Sequence, residues 1–146
     1  MKPISPVRPS PITGSWYDDN PKRLAAEIDG YLDNAAIPAL DGDIIALIAP
    51  HAGYTYSGAV AGHAFAAVRA RDFDLVAVLS PLHAYHPAPF ITSSHAAYQT
   101  PLGKIAIDRD AVSALNASLR TELGVGLETI ARDDEHSLEI ELPFLQ

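Results

Sequence analysis

The sequence predicts an α/β fold with parallel strands, and three observations carry that prediction. Residues 44–49 and 74–79 are short β-branched and aliphatic runs, the composition of strands buried on both faces. Between them Val60, Ala64, Phe65 and Val68 recur at helical spacing. Each run breaks at a proline loop bearing a histidine, Pro50-His51-Ala52-Gly53 after the first and Ser80-Pro81-Leu82-His83 after the second. A right-handed strand–helix–strand crossover makes the two strands parallel. Both loops then emerge at the carboxyl edge, where open α/β sheets bind ligands.

The remaining elements follow in order. Pro3, Pro6, Pro9 and Pro11 make the lead-in extended and irregular, not an interior strand. Asn20 caps a helix over 21–34 with Pro21 at its first position, and Leu24, Ile28, Tyr31 and Leu32 form its apolar stripe. Asp41-Gly42-Asp43 is a turn before the first buried strand. Thr55 or Ser57 is expected to cap the crossover helix, and Gly58 and Gly62 to let it approach the sheet closely. Short strands are expected at 90–92 and 104–107, the second after the turn Thr100-Pro101-Leu102-Gly103. Asp108 caps a helix carrying Val112, Leu115 and Leu119, and a further short strand is expected near 127–130. Leu138, Leu142 and Leu145 make a helical stripe that reaches the last residues without a C-cap.

Composition bounds the function. The 146 residues, 48% hydrophobic and 19% charged, suit one globular domain over 1–146. No apolar run reaches the roughly 18 residues of a membrane span. Met1 to Ser15 lacks the apolar core of a signal peptide, so the cytoplasm is the expected compartment. The absence of cysteine excludes disulfides, thiolate nucleophiles and cysteine-bearing zinc sites. A net charge of −8 with scattered basic residues argues against nucleic acid and against membrane surfaces. There is neither a phosphate-cradling glycine loop nor a nucleophile elbow.

The six histidines are the chemical resource. His51 and His83, at the ends of adjacent strands, offer two imidazoles to a transition metal, which a carboxylate or similar donor would complete. The alternative is that each simply hydrogen-bonds within its loop. His63 is expected on a helix surface. His86 pairs with His83 only if their loop is helical, and His95 has no evident partner. His136 lies among Asp133, Asp134, Glu135 and Glu139, which should favour its protonated form and suit it to acid–base catalysis. The same segment also reads as a solvated acidic helix start.

Several segments together resemble the Memo family, whose bacterial and archaeal members are called AmmeMemoRadiSam system protein B. They are Gly14-Ser15-Trp16-Tyr17, the block from Ala49 to Gly58 (A-P-H-A-G-Y-T-Y-S-G), Ser80-Pro81-Leu82-His83, Thr100-Pro101-Leu102-Gly103 and Glu135-His136-Ser137-Leu138-Glu139 with Leu142-Pro143-Phe144-Leu145. The resemblance implies a three-layer αβα fold with a largely parallel or mixed sheet, similar to class III extradiol dioxygenases. It implies His51 and His83 as ligands to non-haem iron or copper. It sets Trp16 against the same pocket, on the substrate side with Tyr54 from the long block. His136 is then the candidate acid or base. Leu82 departs from the family's more polar G-P-S-H loop. The chain reads as the N-terminal half of a family member, so the remaining metal ligand, a cysteine or carboxylate, is expected outside it. An enzyme of dioxygenase type, a non-catalytic peptide- or anion-binding module and an inactive incomplete domain are the three readings. An unknown small molecule or peptide, a second copy, or a second-half subunit are the partners to expect.

Overall fold

A computed structural model describes residues 5–146; Pro3, the first proline of the lead-in, lies outside the described residues. Strand β1 (Val7–Arg8) sits between Pro6 and Pro9 and pairs in parallel with β3 (Ala97–Thr100), which pairs antiparallel with β4 (Gly103–Ala106). A second, two-stranded sheet joins β2 (Ile91–Ser93) in parallel to β5 (Glu128–Ile130). The fold is therefore α/β with mixed pairing. The lead-in prolines confine β1 to an edge, because proline supplies no ladder N–H. The turn 100–103 becomes the β3–β4 hairpin, where Gly103 takes a φ of +142° that a side chain would strain.

Helix α1 (Pro21–Asp33) starts as expected, with Asn20 Oδ1 accepting the N–H groups of Lys22 and Arg23 at 3.0 and 3.1 Å. Leu24 and Ile28 are buried on its inner face. Helix α2 (Tyr54–Ala66) begins earlier than Thr55 and Ser57 suggest, with Gly53 in the capping position and no side-chain cap. Ser57 is buried inside the helix and donates its hydroxyl to the Ala52 carbonyl. Gly58 and Gly62 do permit a close approach, but to α1 instead of a sheet. A Cβ at Gly62 would stand 2.8 Å from the Tyr31 backbone carbonyl oxygen, and one at Gly58 2.5 Å from its ring. Helix α3 (Arg109–Leu123) is capped by Asp108 and ends at Gly124 in the left-handed region, yet buries no residue fully. A 3₁₀ turn (Glu139–Glu141) leads into the short α4 (Leu142–Leu145). Ile12, Tyr17, Leu24, Ile28, Tyr54 and Ile140 form the core, with Trp16, Tyr31, Leu32, Leu102 and Phe144 packed around it. Among the described residues no helix is long and apolar enough to cross a membrane.

The two aliphatic runs expected as buried strands, 44–49 and 74–79, are neither paired nor buried. Ile45 is 97% exposed, Ile48 96% and Leu79 88%. A strand needs a hydrogen-bonding neighbour and cover for its apolar face, and no described part of the chain supplies either to these segments. Their composition records a demand for burial that these residues do not meet by themselves.

The N-terminal segment is instead tied down by charge. Arg8, 3% exposed, forms ion pairs with Asp133 and with Glu139 Oε2 (2.7 Å), and its Nη2 donates to the Glu135 carbonyl at 2.6 Å. Glu139, 1% exposed, also accepts the Tyr17 phenol at 2.8 Å and the Ser10 hydroxyl. His95, also buried, sets Nδ1 2.6 Å from the Ser5 carbonyl and Nε2 3.1 Å from that of Ala131, joining the same two stretches of chain.

Truncating Arg8 leaves a buried carboxylate unpaired. Arg8→Ala should lower unfolding stability by about 3–5 kcal/mol in chemical denaturation, and a loss below about 1 kcal/mol would contradict this role. Glu141 poses a separate prediction. It is buried, and its Oε2 finds no hydrogen-bond partner among the described residues. Burial pushes its pKa up from 4.5 to about 7. The folded carboxyl then keeps its proton while the unfolded one has lost it, so stability should fall as pH rises through that window. Glu141→Gln should flatten this fall in a pH series of thermal melts.

Candidate functional site

Four of the five residues singled out by sequence come together. The imidazole of His51 lies 5.3 Å from that of His83 and 6.1 Å from that of His136, centroid to centroid, and the His83 and His136 rings stack at 4.6 Å. Trp16 covers His136 with its ring 4.1 Å away. With Pro50 and Ala52 these four residues line an open cleft of about 370 Å³. His83 is exposed, while His51, His136 and Trp16 are half-buried.

Tyr54 stands apart. Its ring is in the core, between those of Tyr17, Tyr31 and Phe144, and its phenol donates to the Ile140 carbonyl at 3.0 Å. Burial drives its pKa far up, so it stays a neutral donor. It meets the site only through its backbone N–H, which donates to the Trp16 carbonyl at 2.9 Å.

The histidine loops converge without a sheet beneath them. Segment 135–137 holds the second loop, where Glu135 accepts the His83 N–H at Oε2 (2.6 Å) and Ser137 donates its hydroxyl to the Pro81 carbonyl. The first loop is held by the Trp16–Tyr54 backbone bond and by Ser57 on the Ala52 carbonyl. Glu135 Oε1 also lies 2.9 Å from His83 Nδ1 and accepts the N–H groups of His136 (2.8 Å) and Ser137 (2.9 Å). Burial alone would raise the Glu135 pKa, but these hydrogen bonds outweigh it and hold the carboxyl down at about 2.

For His136 the expectation of a protonated ring is reversed. Burial lowers its pKa, Glu135 pulls the other way, and the nearby His83 and His51 lower it further. The acidic neighbours counted from sequence do not all face it: Asp133 and Glu139 are engaged by Arg8. The ring is therefore biased to its neutral form, with a lone pair to offer.

The other histidines do not join. His63 lies exposed on α2 with Nδ1 2.9 Å from the Ala59 carbonyl. His86 turns away from His83, toward Glu128 at 3.7 Å, and accepts the Ala88 N–H. Sequence reasoning missed Glu135 as an organiser of the site. The available signal was its position directly before His136, with a backbone that must turn to meet the 80–83 loop.

The family model described as Memo-like protein matches residues 8–146. Among curated proteins, the chain is 34% identical over 139 residues to the protein memo-1 homolog of Caenorhabditis elegans, covering 95% of this chain and 38% of that protein. It is 34% identical over 135 residues to a MEMO1 family protein of Archaeoglobus fulgidus (92% and 47%), and 35% over 131 residues to protein MEMO1 of Danio rerio (90% and 42%). The chain thus spans less than half the length of these relatives. With the match running through Trp16, His51, His83 and His136, the chain belongs to the Memo-like protein family.

Proposed function

We propose that the cleft of Trp16, His51, His83 and His136 is a pocket for non-haem iron or copper in a Memo-like domain related to the class III extradiol dioxygenases. The observation that carries this reading is the convergence of three imidazoles on one cleft. The donor chemistry suits such an ion; among the described residues the ligand atoms within 4.8 Å of one another are those of His83, Glu135 and His136, so His51 would have to draw in to join them. Neutral imidazole nitrogens bind iron and copper well, and His136 is biased toward neutrality by its surroundings. His51 and His83 would hold the ion, and His136 is the proposed third nitrogen, which sequence reasoning had left to a residue outside this chain. When bound, the ion would supply Lewis-acid activation of a substrate oxygen and one-electron exchange with dioxygen. Trp16 walls the cleft against His136. The cleft is open to solvent, so a substrate could reach an ion held there.

An acid–base role for His136 is the competing assignment. It predicts that His136→Ala keeps its metal and loses only turnover. A second reading concerns partners. The bare aliphatic side chains of Ile45, Ile48 and Leu79 favour cover by further polypeptide, either a second copy or a subunit bearing the rest of a family-length sequence. A peptide- or anion-binding pocket is the reading to adopt if no metal binds.

Metal content of the purified protein tests the proposal against His51→Ala, His83→Ala and His136→Ala. Each variant should retain at most about a tenth of the parent's iron or copper under equal dialysis, on the order of 1.4 kcal/mol or more in affinity. Equal content in all four proteins would remove the metal reading. Oxygen uptake with catechol-type substrates after iron loading tests catalysis, and silence there would favour the binding module.

A further inference from the structure

We infer that Glu135 is the positioning residue of the cleft, locking His83 as the Nδ1–H tautomer so that Nε2 is the nitrogen offered to the cleft's occupant. The inference rests on the metal reading for what that occupant is. The tautomer itself follows from the geometry around Glu135.

His83, Glu135 and His136 cluster closely enough, with one ligand atom from each within 4.8 Å of the others, to suggest that the carboxylate is itself a ligand. Its hydrogen bonds argue otherwise. A carboxylate has about four lone-pair sites. Four N–H groups already approach this one: His83 N at Oε2, and His83 Nδ1, His136 N and Ser137 N at Oε1. Three of these share Oε1, so an ion bound there would displace donors, the His83 Nδ1 contact among them, while Oε2 already holds the backbone of the loop that carries His83.

The carboxylate accepts and cannot donate, so the 2.9 Å contact to His83 Nδ1 requires the proton to sit on Nδ1. In the neutral ring Nε2 is then the unprotonated nitrogen. The Glu135 side chain is only 13% exposed, and its backbone carbonyl is held by Arg8 Nη2 at 2.6 Å, so it is a fixed reference and not a swinging arm. The His83 ring is half exposed and stacks on His136, and its hydrogen bond to Glu135 fixes which nitrogen faces the carboxylate. A carboxylate behind the ligating imidazole is a common device for fixing the ring orientation and raising its basicity.

The test reads the tautomer directly. Nitrogen-15 NMR of the metal-free protein at about pH 8, above the ordinary imidazole range, should find His83 with Nδ1 protonated and Nε2 bare, the signals assigned by their loss in His83→Gln. An Nε2–H tautomer in the parent protein would overturn the inference without need of any further variant. In Glu135→Gln the amide can donate to a bare Nδ1, so His83 should shift toward Nε2–H. Co²⁺ affinity, followed by its visible spectrum, should then weaken about 10–100-fold. Unchanged Co²⁺ affinity in a folded Glu135→Gln would also overturn the inference. Failure of the parent protein to take up Co²⁺ would overturn the metal reading of the cleft, while the tautomer still decides the part played by Glu135.

Discussion

The Arg8 guanidinium is the fixture on which the rest of the structure depends. It comes from the short edge strand near the start of the chain and reaches the acidic segment near the end, engaging Asp133, the Glu135 carbonyl and Glu139. A buried ion pair is weak evidence of net stability, because desolvation offsets much of the attraction. Its value here is geometric. Planar and always charged, the guanidinium presents several donors in fixed directions, which sets the path of residues 133–139. From that path project the Glu135 carboxylate and the His136 ring, and each histidine loop is positioned by what it meets there or on the neighbouring Trp16 turn.

Much of this was legible in the sequence, and the unread parts have a common cause. Local signals were reliable: the Asn20 and Asp108 caps, the Pro21 start, the hairpin turn at 100–103 and the strand near 128–130 all depend on residues close together in the chain. His51 and His83 were expected to be neighbours and are, although not through paired strands at 44–49 and 74–79; Trp16 at the same cleft was an implication of the family resemblance. What escaped was set by distant partners. Nothing in Pro-Val-Arg-Pro announces that Arg8 will be buried against Asp133. The acidic residues around His136 could be counted, but not sorted into those that face the ring and those that Arg8 engages, so the direction of its protonation was misjudged. Tyr54 belongs to the same motif as His51, yet helix geometry turns its ring into the core.

The aliphatic segments 44–49 and 74–79 carry a different lesson. Their sequence is that of strands covered on both faces, and the described residues leave them bare. Composition thus states what an environment should be, while the structure shows how much of it the described residues provide. The histidine cleft and these segments draw on different forces. The cleft uses hydrogen bonds and ring stacking, whereas the flanking segments call for hydrophobic cover.

The pairing of Arg8 with Asp133, and of His83 with Glu135, also bears on the order of folding. Contacts that close such long loops form late, because their entropic cost falls before their benefit. During synthesis His51 and His83 would emerge well ahead of the segment that positions them. Only when residues 133–137 are available can the loops be drawn together. The cleft therefore waits on that segment, and until then its histidines are unplaced side chains.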